Sequence, residues 1–567
     1  MIKKKIAATA LTLVSLLVLV FLLLVALGSG PYANGPPLFK PPLKEQLLAE
    51  LNARFIKQAR VDDMLLAELD SGAYSFEEPL AIVDPYGTSP LAALVLFTSG
   101  EPLNISVHVP GTTAAADVDF TFDGYNTSHM IPVYGLYPDK LNRVKLTAKT
   151  QSGGEKEIFL ELQTEPLGLD LADHVIQTDI AQPDKVQPGF NFTFARKTAF
   201  DVNGDYRWYY NDFLAMQATL YNYNGNIVCS KGDWHGDCIL FEINSLGKVL
   251  SAYVSPYGAH HDITATGDEN LLVTGSQGKY IEDFLYEFDV KNGMIVNKLD
   301  FRPLLQRTRT VNWPIYLVKD WLHINSVVYD RGSIIISAKT QSAVVKLSWP
   351  EGEIEWLLAD PADWNPNFRP YLLTPVGEGF EWPYCQHSPE ILPDFDNNPD
   401  TLDILLFDNG NTRYNEKFQW ALDNKWTLFN KKVEVPERYS RLVHYRINEK
   451  EKTIEQIRQF GKELGASYYS DFCGDANLLA NGNWLGSFER EFTDIGDAAV
   501  YGDFSATAIE VDPSGGTVWT AFCENDSPNV FYTYRLERHP MYNAAANDLR
   551  VGVHTNVLVL QENPAQR

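Results

Sequence analysis

Histidine returns at nearly constant intervals in the C-terminal part of this chain: His260 and His323 stand 63 residues apart, and His323 and His387 stand 64 apart. Each opens a unit of the same kind. A His-bearing segment leads into an apolar strand with small polar neighbours, and an Asp- and Gly-rich turn then leads into a Trp-bearing or hydrophobic strand. His260, His261 and Asp262 precede apolar runs at 271–274 and 285–290; His323 and Asn325 precede runs at 334–337, 344–349 and 354–358; His387 precedes runs at 404–408 and 442–447. A repeat of about 40 to 60 residues built from short strands is the signature of a β-propeller blade. Innermost strands of a propeller face one channel, so equivalent positions on successive blades converge and the three imidazoles are expected to share a pocket.

The composition agrees with an all-β body. Aromatic residues make up 12% of the chain, with 32 prolines and 38 glycines, a mixture suited to many short strands joined by tight turns. A net charge of -26 argues against a nucleic-acid partner, since binding phosphate needs a concentrated basic surface.

Upstream of the repeats, runs at 93–97, 105–109, 118–122 and 158–162 predict a small β-sandwich over residues 80–170, with the propeller over 171–567. Residues 1–30 read as a signal-anchor: three lysines in the first five residues precede an uncharged 22-residue apolar run at 6–27, long enough to cross a bilayer. An uncleaved anchor is preferred over cleavage near Ala26 and Gly28. Either way the rest of the chain is expected outside the cytoplasmic membrane, periplasmic or on the cell-envelope exterior, and secreted if the segment is cleaved. Residues 31–79 read as a Pro-rich spacer followed by an amphipathic helix. That helix, at 43–70, carries Leu47, Leu48, Leu51, Phe55 and Ile56 at helical spacing, for packing on its own subunit or on a second one.

Five cysteines, at 229, 238, 385, 473 and 523, show no zinc-ligand spacing, and Cys229 with Cys238 is the pair expected to close a disulfide in an oxidising compartment. A lone strand histidine is more simply a hydrogen-bonded structural residue; three in register favour a shared site. The ungapped match sets His260 against His323 and Asp262 against Asn325. Residues two apart on a strand share a face, so His260 with Asp262 and His323 with Asn325 are expected to point together, leaving His261 to the blade interior. Three neutral imidazoles also suffice for zinc or copper, but no close-spaced ligand motif accompanies them, so neither metal nor cofactor is expected. Trp382 and Tyr384, beside His387, either stack on an aromatic substrate or serve as core. Tyr468, Tyr469 and Ser470 are read as funnel rim or as structural packing.

In order and spacing, several segments resemble the bacterial aryl-sulfate sulfotransferases, which need no nucleotide sulfate donor. They are Asp84-Pro85-Tyr86-Gly87 with Ser89-Pro90-Leu91, DVNGDYRWYY at 201–210, AHHDI at 259–263, DWLHINS at 320–326, SAKTQSAVVK at 337–346, and Gln386-His387 ahead of LLFDNG at 405–410. The resemblance spans about residues 82–534. It implies a six-bladed propeller, a homodimer, and a ping-pong transfer from an aryl sulfate donor to a phenolic acceptor through a sulfohistidine. By position His387 is similar to the family nucleophile, and His260 or His261, with His323 and Asn325, to its supporting set. Lys339 stands where the family places Arg, keeping the charge but losing the planar fork that grips two oxygens. In this scheme Lys339 and a supporting histidine hold the sulfuryl oxygens, and His323 protonates the leaving phenolate and deprotonates the acceptor. The rival readings are a metal-dependent propeller hydrolase and a non-catalytic surface-binding propeller. Serine chemistry is disfavoured, since no GxSxG elbow occurs.

Overall fold

A computed structural model describes residues 44–562, apart from 173, 195–196, 212–217, 268, 279, 308, 310–319, 412, 414–437, 471–472, 493–502, 524–532 and 556. The described chain is predominantly β. The expected membrane anchor at 1–30 lies outside the described residues, and among those described no helix is long and apolar enough to cross a membrane.

The amphipathic pattern forms one long helix, α1 (Lys44–Asp70). From Ala49 onward its buried face carries Leu51, Gln58, Asp62, Leu65 and Leu69, the spacing of one helical stripe. Polar residues on that stripe are paired rather than stranded. Gln58 donates to the Val249 carbonyl at 3.1 Å and accepts from the Val249 N–H at 2.9 Å. Asp62 takes the Lys248 ammonium at 2.6 Å and the Tyr86 hydroxyl at 2.7 Å. This stretch of α1 therefore packs on its own chain.

Six strands follow: β1 (Leu80–Val83), β2 (Ala93–Val109), β3 (Val118–Thr121), β4 (Asn126–Val133), β5 (Leu141–Thr150) and β6 (Glu155–Gln163). Over this stretch, where a small β-sandwich was expected, the ladders join all six strands through one long strand. That strand is β2. Its first half pairs with β1 and β4, its second with β3 and β5, and the register breaks between Thr98 and Leu103.

The rest of the described chain builds six largely antiparallel sheets of four or five strands, numbered here I to VI. Sheet I joins strands between residues 190 and 209 to Leu536–His539. Sheets II to VI carry as edge strands Thr219–Tyr223, Ile263–Ala265, Ile324–Asp330, His387–Ile391 and Asp475–Leu478. Sequence-distant strands complete some of them: Ile176–Ile180 closes sheet VI, while Val557–Val559 and Gln561–Glu562 add in parallel to sheets II and III.

Hydrogen bonds link each sheet to the next. The Tyr221 hydroxyl donates to the Thr193 carbonyl, and Thr219 bridges Asp262. Asp262 accepts from the Ser326 hydroxyl at 3.0 Å and the Val327 N–H at 2.8 Å. The Asn325 amide and the Ser337 hydroxyl both donate to the Gln386 carbonyl at 2.9 Å. Asn409 reaches sheet VI, and the Asn477 amide returns to sheet I at the Leu536 carbonyl, 3.0 Å away. Polar groups buried this way fix register as well as satisfying the backbone. Gly474 shows how tight the join is: its φ is +150°, and a Cβ there would lie 2.3 Å from the Phe407 ring.

The expected Cys229–Cys238 disulfide does not fit. In their ladder Cys229 faces Phe241 and Cys238 faces Gly232. Cys229 and Gly232 are three residues apart, so the two sulfurs lie on opposite faces of the sheet, beyond disulfide reach.

Candidate active site

Three of the predicted histidines meet, although not in the predicted register. His261 and His323 have ring centroids 4.8 Å apart, and Tyr534 lies between His261, at 5.6 Å, and His387, at 6.4 Å. His260 turns away: its Nε2 donates to the Gly275 carbonyl at 2.9 Å, and burial pushes the ring down to about 3. The cause is backbone conformation. His261 and His323 adopt φ of 57° and 55° immediately before their sheets begin, and Tyr534 repeats the device at 60°. Left-handed backbone is uncommon for such residues and breaks strand alternation, so the histidine that faces the site is the second of the pair.

His387 opens the edge strand of sheet V and is buried. Its Nδ1 lies 2.7 Å from Asn409 Oδ1. The Asn409 amide is itself oriented, because its Nδ2 donates to the carbonyls of Ser470 and Cys473 at 2.9 and 2.8 Å. An oxygen therefore faces the ring, Nδ1 carries the proton, and Nε2 keeps its lone pair. Burial, followed by the charge of Lys339, holds His387 well below the usual imidazole range, so the ring is neutral.

His323 is the opposite case. Its Nδ1 lies 2.7 Å from both Asp320 Oδ2 and Glu282 Oε2. Burial opposes its charge, but Asp320 and Glu282 outweigh that penalty and raise the ring to about 9. At neutral pH His323 is a cation, which suits it to donating to an anion and makes it a poor proton acceptor. Glu282 is in turn held well below the carboxylate range, since His323 and His261 overcome the cost of its burial.

His261 spends both nitrogens. Its Nε2 is 3.2 Å from Glu282 and its Nδ1 is 2.6 Å from the Tyr534 hydroxyl. Burial, the largest influence, keeps the ring below its usual value despite Glu282. Two triads that share Glu282, one with His260 and His261 and the other with Asp320 and His323, each stand close enough together to gather a cation. The His323 imidazolium already balances one of the two carboxylates there.

Lys339 begins the turn Lys339–Gln341 after a strand of sheet IV, its N–H donating to the His323 carbonyl at 3.1 Å. Its charge depresses all three site histidines. Among the described residues no hydrogen bond or ion pair engages its ammonium, which leaves it available to an anionic ligand.

Three predicted substrate contacts are placed otherwise. Asn325 is buried with its amide committed to the Gln386 carbonyl, so it positions the backbone just before His387. Trp382 packs edge-on against Phe380 at 4.7 Å in the core of sheets IV and V. Tyr384 donates its hydroxyl to Asp360 at 2.8 Å. Neither ring contacts the histidine cluster among the described residues, because both are drawn into packing on their own sheet. Of the expected rim, Tyr468 packs on Phe488, and Ser470 is buried with its carbonyl orienting Asn409. Sequence reasoning missed Glu282, Asp320 and Tyr534 as site residues. It quoted Asn409 inside LLFDNG without giving it a role. Asp320 had a signal in sequence, lying three residues before His323 in DWLHINS.

Comparison with known proteins bears on the family of the chain as a whole. Residues 177–530 match the arylsulfotransferase (ASST) family model, and residues 80–165 match that of the arylsulfotransferase Ig-like domain. The chain is 24% identical over 527 residues to the arylsulfate sulfotransferase AssT of Escherichia coli O6:H1, covering 72% of this chain and 84% of that protein. It is 23% identical over 519 residues to AssT of Lelliottia amnigena, covering 69% and 81%. With a family model matching well over half of the chain, the chain belongs to the arylsulfotransferase family and is an aryl-sulfate sulfotransferase.

Proposed function

We propose that the enzyme moves a sulfuryl group from a phenolic sulfate ester to a phenolic acceptor in two steps through a sulfurylated His387. The observation that carries this reading is the tautomer of His387, fixed by an amide that is itself fixed, which leaves a neutral Nε2 lone pair beside two cations. Covalent catalysis of this kind splits one difficult exchange into two easier ones. By analogy with phosphoryl transfer, charge in the loose transition state spreads over the sulfuryl oxygens and the departing phenolate. Lys339 and the His323 imidazolium supply fixed positive charge for those oxygens. In this reading sheets I to VI are the blades of a closed six-bladed propeller, with the histidines at its central channel. The lysine-led apolar N-terminal run supports an exported, membrane-tethered location, and the family resemblance supports a homodimer.

The test is to incubate the purified protein with 4-nitrophenyl sulfate, with and without phenol, and to map adducts by mass spectrometry under alkaline conditions. Acceptor-dependent nitrophenol release and an adduct on His387 are expected, and His387→Asn should lose both. Full turnover by that variant would remove His387 as nucleophile. Turnover lost on chelation and restored only by zinc would point to metal-dependent hydrolysis instead.

A further inference from the structure

Resting on that reading, we propose that Tyr534 is the proton-transfer residue of the reaction, with His261 and Glu282 behind it as its relay. His323 cannot serve both halves of this task, because the two carboxylates at 2.7 Å from its Nδ1 keep it a cation at neutral pH and so a poor acceptor of the incoming phenol's proton. His387 is committed to sulfur. The Tyr534 hydroxyl lies 2.6 Å from His261 Nδ1, and His261 Nε2 lies 3.2 Å from Glu282 Oε2. A carboxylate only accepts, so Nε2 carries a proton, and the neutral ring takes the tyrosine hydrogen at Nδ1. Hydroxyl, imidazole and carboxylate thus stand in the order by which a hydroxyl proton is withdrawn and returned elsewhere. The Tyr534 ring also meets the nucleophile edge-on, 6.4 Å from His387 between centroids, so the phenolic oxygen leaving or approaching sulfur falls on its side of the site.

The protons balance over a cycle. In the donor step the His387 Nε2 lone pair forms the N–S bond, and the S–O bond breaks with its pair going to the phenolic oxygen. As the anionic donor binds, the neutral His261 first takes up a proton from solvent at Nδ1; the phenolic oxygen then takes the Tyr534 proton, and this imidazolium replaces it from Nδ1. In the acceptor step the incoming phenol gives its proton to Tyr534, Tyr534 returns one to His261, and the N–S bond breaks as the new O–S bond forms. Glu282 balances the imidazolium whenever it exists. The other charged and titratable groups bearing on this pair are His260, His323 and Lys339 beside His261, and Arg535, Asp262 and Cys473 beside Tyr534. Burial raises the Tyr534 phenol well above its usual value, so it holds its proton until a developing phenolate draws it off.

Leaving-group dependence tests the assignment. A nitrophenolate departs readily without a proton, whereas unsubstituted phenolate needs one. In Tyr534→Phe, donor kcat/KM for phenyl sulfate is expected to fall by about 100-fold or more, the usual worth of positioned acid–base catalysis, while donor kcat/KM for 4-nitrophenyl sulfate, which reports the first half-reaction alone, stays within about threefold. Retained nitrophenyl turnover also shows that the variant is folded. Glu282→Gln should give the same pattern, and in the wild type kcat/KM for phenyl sulfate should fall with rising pH while kcat/KM for the acceptor rises. Equal losses on both donors, or no loss on either, would overturn the role of Tyr534 while leaving sulfuryl transfer intact. A wild-type enzyme that turns over neither donor would overturn the transferase reading and the relay with it.

Discussion

Sheets IV and V present the same side chain at the same place, the entry of an edge strand, and treat it in opposite ways. His323 in sheet IV meets two carboxylates and becomes a cation at neutral pH, held up to about 9. His387 in sheet V meets the oxygen of a carboxamide, lies near Lys339, and stays neutral. The pair shows that repetition delivers imidazoles to one place, whereas the neighbour at Nδ1 decides what each can do. A charged neighbour makes an electrostatic clamp. An uncharged one fixes a tautomer and raises the ring too little to offset burial and Lys339, which is what a nucleophile needs at neutral pH.

Exchanging the neighbours is the strongest way to break this comparison. Asn409→Asp puts a carboxylate at His387 Nδ1 and should raise that ring as Asp320 and Glu282 raise His323. Each unit of rise above neutral pH removes about tenfold of the neutral form, so turnover at pH 7 should fall by roughly 10- to 100-fold and recover as pH rises. The substitution also strips the donors from the carbonyls of Ser470 and Cys473, a loss of about 1–3 kcal/mol in stability to be followed in parallel by urea unfolding. A pH–rate profile unchanged from wild type would mean that Asn409 does not control the nucleophile.

How much of this site could be read in the sequence follows from the same contrast. Repeat spacing is a property of the length of each sheet unit, so His323 and His387 were legible from their intervals, and so was the alternation of short apolar strands. The choice between His260 and His261 was not, because alternation assumes extended backbone and the left-handed turn at His261 inverts it. Glu282 and Tyr534 reach the cluster from segments far along the chain from the histidines they contact, and no local pattern marks them. Trp382 and Tyr384 stayed open between ligand and core because an aromatic near a catalytic segment looks the same in sequence in either place. The second half of β2 shows the bland side of the rule: it alternates buried and partly buried residues, and its ladders follow that pattern.

Stability against pH probes the charged wall alone. A histidine raised above its ordinary 6.5 contributes stability that is fully present below 6.5 and lost as pH rises through its folded value, here about 9. Wild-type protein should therefore lose on the order of 1–3 kcal/mol of unfolding free energy between pH 6 and pH 9.5 from this group. Asp320→Asn should shrink that loss by removing one of the two carboxylates on His323 Nδ1. Urea unfolding at the two pH values measures it, and an undiminished loss in the variant would assign the charge balance to Glu282 alone.

The smallest expected effect concerns Lys339, the cation that both walls share. It lowers His323 and His387 alike, so a substitution that keeps its charge should leave their contrast standing and act on donor binding. Lys339→Arg restores the planar fork that suits two oxygens of one sulfuryl group, whereas an ammonium meets them as a point charge. Donor KM is expected to fall by about two- to fivefold with kcat little changed, a modest gain because the surroundings of residue 339 are shaped around lysine. Lys339→Met, which removes the charge, should instead raise donor KM and release the electrostatic pressure on His387, moving the acid limb of the pH–rate profile to higher pH. A shift of that limb in Lys339→Met but not in Lys339→Arg would separate the charge of this residue from its shape. Equal shifts in both would mean that the position, rather than the charge, sets the nucleophile.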